Sequence, residues 1–132
     1  MEEIKTELLG YQYVREHRDF TGIITDGNND KFWYRNGKRH REDGPAVESP
    51  NGHRAWFRNG RLHRTDGPAI EYHNGDKEWL QNGKLHREDG PAIVFKDGHG
   101  EWFLHGLRVT KEEHLNWQRD RKLDSFMSQE ED

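Results

Sequence analysis

His40, His63 and His86 stand 23 residues apart, and each is followed at once by Arg and three residues later by Asp (Asp43, Asp66, Asp89). Imidazole and carboxylate at that spacing could ligate a metal ion or form a general acid–base pair. One zinc ion holds its ligands at roughly 2 Å. If each unit adds two strands, equivalent histidines lie about 10 Å apart, twice the ~4.8 Å strand spacing, and cannot share an ion. Only a solenoid with single-strand rungs would bring them together. An active site needs one constellation rather than three copies, and no Ser or Cys nucleophile accompanies these residues. The reading is a non-enzymatic protein: no catalytic residue, no metal, no cofactor.

The elements that position these residues repeat with them. Trp33, Trp56, Trp79 and Trp102 keep the same 23-residue step, as do Gly44, Gly67 and Gly90 and the prolines that follow them. A fixed period of this size signals units that cannot bury their apolar faces alone. The chain divides into an N-terminal segment, 1–9, predicted as a short helix ending before Gly10; a repeat array, 10–109; and a C-terminal helix with an acidic tail, 110–132. Within the array, 10–32 is a degenerate unit, 33–55, 56–78 and 79–101 are full copies, and 102–109 is partial. In the degenerate unit Tyr11, His17, Arg18 and Ile24 are counterparts of Tyr34, His40, Arg41 and Val47, while Phe20-Thr21-Gly22 replaces Asp-Gly-Pro.

Two sets of turns punctuate each unit. Asn51-Gly52, Asn74-Gly75 and Asp97-Gly98 read as two-residue type I′ turns. That register sets Val47 against Trp56, Ile70 against Trp79 and Ile93 against Trp102. Asn36-Gly37, Asn59-Gly60 and Asn82-Gly83 form the second set, placing Trp56 opposite His63, Phe57 opposite Leu62, Trp79 opposite His86 and Leu80 opposite Leu85. Each Trp is then packed between a β-branched residue and a histidine on one face. Pro45, Pro68 and Pro91 have no N–H to donate, so Asp-Gly-Pro reads as a shaped loop. Its Asp is expected to cap the loop backbone and its Gly to take a conformation closed to other residues. Thr110-Lys111-Glu112-Glu113 is a capping box opening a helix over 111–127. That helix, carrying Leu115, Trp117, Leu123, Phe126 and Met127, is expected to cover the open end of the sheet, with 128–132 as a frayed tail. The fold class is all-β: an elongated, twisted antiparallel sheet of stacked β-hairpins with a C-terminal helical cap.

Composition narrows the function classes. Only 30% of the 132 residues are hydrophobic and 35% are charged, near the range of chains that stay unfolded, but the apolar residues keep fixed positions. A net charge of −4 is too small to predict a strongly charged partner. The absence of cysteine fits a reducing cytosol. Met1-Glu2-Glu3-Ile4-Lys5 is no signal peptide, and no apolar run approaches the ~20 residues of a membrane span. The expected setting is cytoplasmic.

Tyr34, Phe57, Leu80 and Phe103 follow the tryptophans and point to the opposite face. With Arg58 and Arg61 they are the candidate partner-binding residues, on the reasoning that one thin sheet cannot bury both aromatic stripes. Substituting Tyr34 and Phe57 is expected to abolish binding and spare the fold. Basic groups beside aromatics can also bind single-stranded nucleic acid, but acidic neighbours such as Asp43, Asp66 and Asp89 disfavour it.

The period, the Asn-Gly-Lys-Leu-His run at 82–86 and the Asp-Gly turns resemble MORN-type repeats over about residues 10–109. The closer likeness is to the divergent bacterial and phage variants with Trp-x-x-Asn-Gly-x-x-His-Arg-x-Asp-Gly-Pro-Ala units. The Tyr-x-Gly-x-Trp and His-Gly-x-Gly signatures of the standard repeat are missing. The resemblance implies stacked hairpins used as a protein-binding surface, in a phage or bacterial inhibitor or antitoxin-like factor that neutralises a host-defence or toxin protein in the bacterial cytoplasm. The alternative it carries is a nucleic-acid or anionic-phospholipid binder. A homo-oligomer through a sheet edge or the C-terminal helix is a further expectation.

Overall fold

A computed structural model describes residues 2–129. In chain order the elements are β1 (Glu2–Lys5), α1 (Gly10–Glu16), β2 (Gly22–Thr25), β3 (Lys31–Arg35), β4 (Lys38–Arg39), β5 (Val47–Glu48), β6 (Arg54–Ala55), β7 (Phe57–Arg58), β8 (Arg61–Leu62), β9 (Ile70–Glu71), β10 (Lys77–Glu78), β11 (Leu80–Gln81), β12 (Lys84–Leu85), β13 (Ile93–Val94), β14 (Gly100–Leu104), β15 (Leu107–Val109) and α2 (Lys111–Gln129). Among the described residues, eleven strands form one open sheet in the order β1-β2-β3-β5-β6-β9-β10-β13-β14-β15, with β4 added to β3. The pairs β7–β8 and β11–β12 stand apart from it.

The expected all-β array of stacked MORN-like hairpins is corrected by this architecture. β1 and β2 are parallel, pairing Glu2 with Gly22 and Ile4 with Ile24, so the sheet is mixed, and helices of seven and nineteen residues accompany it. Parallel neighbours need a crossover connection, and α1 supplies it. The helix expected over residues 1–9 is instead the edge strand β1, whose Glu2, Glu3 and Lys5 guard the edge with charge. The helix begins where that one was to end, at Gly10. A Cβ on Gly10 would lie 2.7 Å from the Phe32 ring, so the glycine lets α1 sit directly on β3.

The second half of the degenerate unit keeps the form of its neighbours. Ile24 pairs with Phe32 as Val47 pairs with Ala55, one period on. Both connections are three-residue loops, closed by Asp26 N to Asp30 O and by Ser49 N to His53 O.

That loop length corrects the register. Ile70 faces Glu78 and Ile93 faces Glu101, not the tryptophans. In the loops at Gly52, Gly75 and Gly98 only the glycine takes positive φ (98°, 100° and 95°), and the preceding Asn or Asp accepts the N–H two residues on, as Asn74 does from Asp76 at 3.0 Å; in the first loop Asn29, at 62°, takes the left-handed place. One left-handed residue with an Asx acceptor replaces two left-handed residues. The second set of turns behaves as expected: Asn59 and Gly60 both have positive φ, and Phe57 faces Leu62 as Leu80 faces Leu85.

The apolar core gathers at the N-terminal end. Phe20, Ile24, Phe32, Tyr34, Val47 and Ala55 are buried together, with Tyr13 and Val14 of α1 packed on them. Further along, Ala69 and Ala92 are fully buried but small. The later units must therefore be held by something besides apolar bulk.

The capping box forms as expected, with Glu113 N donating to Thr110 Oγ1 at 3.0 Å and Thr110 N to Glu113 Oε1 at 2.9 Å. The tail expected at 128–132 is corrected at its start, since Ser128 and Gln129 complete α2; residues 130–132 lie outside the described residues. No helix among the described residues is long and apolar enough to cross a membrane.

Candidate functional site

The repeated His-Arg-x-Asp-Gly-Pro loop is built around its arginine. Arg64 lies over the Trp56 ring, 3.9 Å from its centroid. Its Nε donates to Asp66 at 2.9 Å and its Nη1 to the Pro68 carbonyl at 3.1 Å. Arg41 on Trp33 and Arg87 on Trp79 repeat these contacts. The guanidiniums hold the Asp43 and Asp66 carboxyls below the usual carboxylate range, chiefly by hydrogen bonding. Gly67 is needed for space: a Cβ there would lie 2.8 Å from Arg64 Cζ, and φ is not positive at Gly44, Gly67 or Gly90. The expected backbone-capping Asp and left-handed Gly are thus replaced by an arginine clasp on a tryptophan.

The histidines join one unit to the next. His40 Nδ1 accepts from Asn59 N at 2.9 Å, His63 from Asn82 at 3.0 Å and His86 from His105 at 2.9 Å. An accepting Nδ1 requires the neutral ring with its proton on Nε2. In His86 that Nε2 lies 3.1 Å from Glu88 Oε2, and the contact lowers the Glu88 pKa. Burial, then the Arg58 charge, lowers that of His63. Histidine, arginine and aspartate are therefore occupied by the fold. Among the described residues no three His, Asp or Glu side chains converge for a metal ion.

The sequence-predicted binding residues separate. Tyr34 (6% exposed) and Leu80 (7%) are buried, Phe57 and Phe103 are half-buried, and Arg58 and Arg61 are exposed cross-strand neighbours on β7 and β8. The stripe read as exposed is thus more deeply buried than the tryptophan stripe, whose four rings are all half-buried. Replacing Tyr34 by Ala would open the core rather than spare the fold.

Besides the Arg58–Arg61 pair, Tyr34 and Phe57 of this set come together, in an open groove of about 520 Å³. α1 contributes Tyr11, Val14 and Arg15 to it, and Arg18 follows just beyond the helix; the β3–β4 hairpin adds Tyr34, Lys38 and Arg39. Phe57 and the glycines of two hairpin turns complete the wall. Arg39 lies between the Phe32 and Phe57 rings, 5.2 and 5.4 Å from their centroids. Among the described residues, no carboxylate pairs with Arg15, Arg18, Lys38 or Arg39. The Tyr34 hydroxyl is buried there without a hydrogen-bond partner.

Sequence reasoning passed over three of these four cations, although the period contains a signal for Arg18. Where Arg41 has Trp33 beneath it and Asp43 beside it, the positions one period earlier hold Gly10 and Phe20. Arg18 therefore has neither of the partners that Arg41 has. His17 changes role as well: it stacks on Tyr13 at 4.1 Å, and Asn36 N turns to Thr21 Oγ1 instead.

No protein-family model, curated protein or solved structure matches this chain.

Proposed function

We propose that the protein is a non-enzymatic binding module whose groove beside α1 takes an acidic, partly apolar segment of a protein. The observation that carries this reading is the set of four cations without carboxylate partners around an apolar floor, in a chain of net charge −4. Among the described residues, seven of the ten arginines outside the groove have a carboxylate within 4.0 Å; Arg58, Arg61 and Arg119 do not. Unpaired like charges repel, and bringing them together is repaid when an anion arrives. The groove volume falls in the ~300–1,000 Å³ range of ligand sites, and the orphan Tyr34 hydroxyl offers an incoming acceptor a partner. Single-stranded nucleic acid stacks successive bases on a row of open rings, whereas Tyr34 is buried, Phe57 is covered by Arg39 and Tyr11 alone is exposed among the rings of this groove.

Fluorescence anisotropy tests this with a labelled peptide alternating Glu with Leu and Phe. The comparison probes are an all-Glu peptide, oligo-dT and phosphatidylserine vesicles. The alternating peptide should bind at least tenfold tighter than the others, and Arg15→Glu/Arg18→Glu should abolish its binding. Equal binding by wild type and this variant, or preference for oligo-dT or vesicles, would overturn the reading.

A further inference from the structure

The geometry points to the distal end of α2 from a second copy of this chain as the segment that occupies the groove, an inference that rests on the groove reading above. α2 is fastened only along its first half. His114 is 1% exposed and its Nε2 donates to the Arg87 carbonyl at 2.7 Å. Trp117 meets His86 edge-on, and Gln118 and Arg121 reach Glu88. Beyond Arg121, no hydrogen bond or ion pair among the described residues ties the helix to the rest of the chain. Two further turns, roughly 12 Å at 1.5 Å per residue, extend past the last anchor.

Those turns carry an unpartnered stripe. Leu123, Phe126 and Met127 are 55%, 58% and 60% exposed, and their i, i+3, i+4 spacing places them on one side of the helix. From 123 to 132 the sequence holds four acidic residues (Asp124, Glu130, Glu131, Asp132) and no basic one. The last turn of α2 lacks a basic residue as well, so nothing there offsets the negative end of the helix. An apolar stripe in an acidic stretch of sequence is complementary in kind to a groove floored by Val14, Tyr34 and Phe57 and rimmed by four cations.

Within one chain the two surfaces do not meet. The groove lies at β3, β4 and β7, whereas α2 is anchored on the loop before β13, several strands along the sheet. The contact is therefore between different patches: exchanged reciprocally it closes a two-fold dimer, and unreciprocated it builds a larger ring or an open chain.

Sedimentation velocity of the full chain, over a concentration series at 50 and 500 mM NaCl, tests this. Wild type should exceed the monomer mass increasingly with concentration, and high salt should weaken association at least tenfold. Arg15→Glu/Arg18→Glu removes the groove and Leu123→Ser/Phe126→Ser removes the insert; each alone should be monomeric. Mixed in equal amounts they should form a capped species of two chains, one intact groove holding one intact insert. Circular dichroism verifies the fold of each variant. If either misfolds, wild-type association that ignores salt still overturns the inference. A mixture that stays monomeric while wild type assembles overturns it too. Wild type that stays monomeric yet binds the alternating Glu/Leu/Phe peptide overturns the second-copy occupant alone. Wild type that does neither overturns the groove reading with it.

Discussion

Arg18 and Arg64 occupy the same place in the 23-residue unit and do opposite things. Arg64 lies on Trp56, bonded to Asp66 and the Pro68 carbonyl, and closes a loop. Arg18 has Gly10 and Phe20 where those partners would be, and lines a groove. In the regular units the polar side chains substitute for a core built on small alanines. In the first unit a real apolar core, Phe20 with Ile24, Phe32 and Tyr34, takes over that task and releases the cation. The difference teaches that the arginine of a unit is left without partners where the Trp and Asp positions hold other residues.

The largest effect should come from the platform of the clasp. Trp79→Ala removes a half-buried ring and the stack beneath Arg87, and should cost about 2–4 kcal/mol in denaturant unfolding. An unchanged transition midpoint would refute the clasp. Arg64→Ala should cost about 2 kcal/mol, because it strips a charge-assisted pair and a carbonyl bond together. Arg18→Ala should move stability by less than ~0.5 kcal/mol while weakening the peptide probe. Equal destabilisation by the two arginine variants would erase the contrast between the units.

A smaller, pH-dependent effect belongs to His63. Its folded pKa lies below the ordinary 6.5, so the unfolded chain binds the proton more readily. This contribution to stability is complete above pH ~6.5 and is lost as pH falls toward the folded value. Replacing His63 by Gln should flatten that part of the pH–stability curve, and an unaltered curve would detach the histidine from the joint. The smallest change is Tyr34→Phe. It removes a buried hydroxyl without a partner and should leave the fold equal or up to ~1 kcal/mol more stable, while lowering affinity for the probe peptide. Loss of stability would show that the hydroxyl is satisfied.

Much of the molecule could be read from the chain. The period, the two hairpins at 57–62 and 80–85, and the capped helix from Lys111 follow from local chemistry, because turn type and helix capping are settled within a few residues. The register did not follow. Asn51-Gly52 and Asn59-Gly60 are the same dipeptide, yet they make a three-residue loop and a two-residue turn. At Asn59 the backbone N–H is taken by His40 and that of Gly60 by the Arg39 carbonyl, both from the preceding unit. At Asn51 the side chain serves its own loop. A slip of one residue reverses which face is buried, which is why the exposed and packed stripes were exchanged.

The sequence by itself determined the unit: its length, its turn residues, and the Trp, Arg, Asp, Gly and Pro that fit together within a few residues of one another. Only the tertiary structure decided what covers each face. Whether residues 2–5 become a strand depends on β2 lying beside them, and whether Arg18 is spent or free depends on what stands across the fold at Gly10 and Phe20. Local hydrogen bonds and steric fit are written in neighbouring residues, whereas burial and charge pairing are set between residues far apart in the chain.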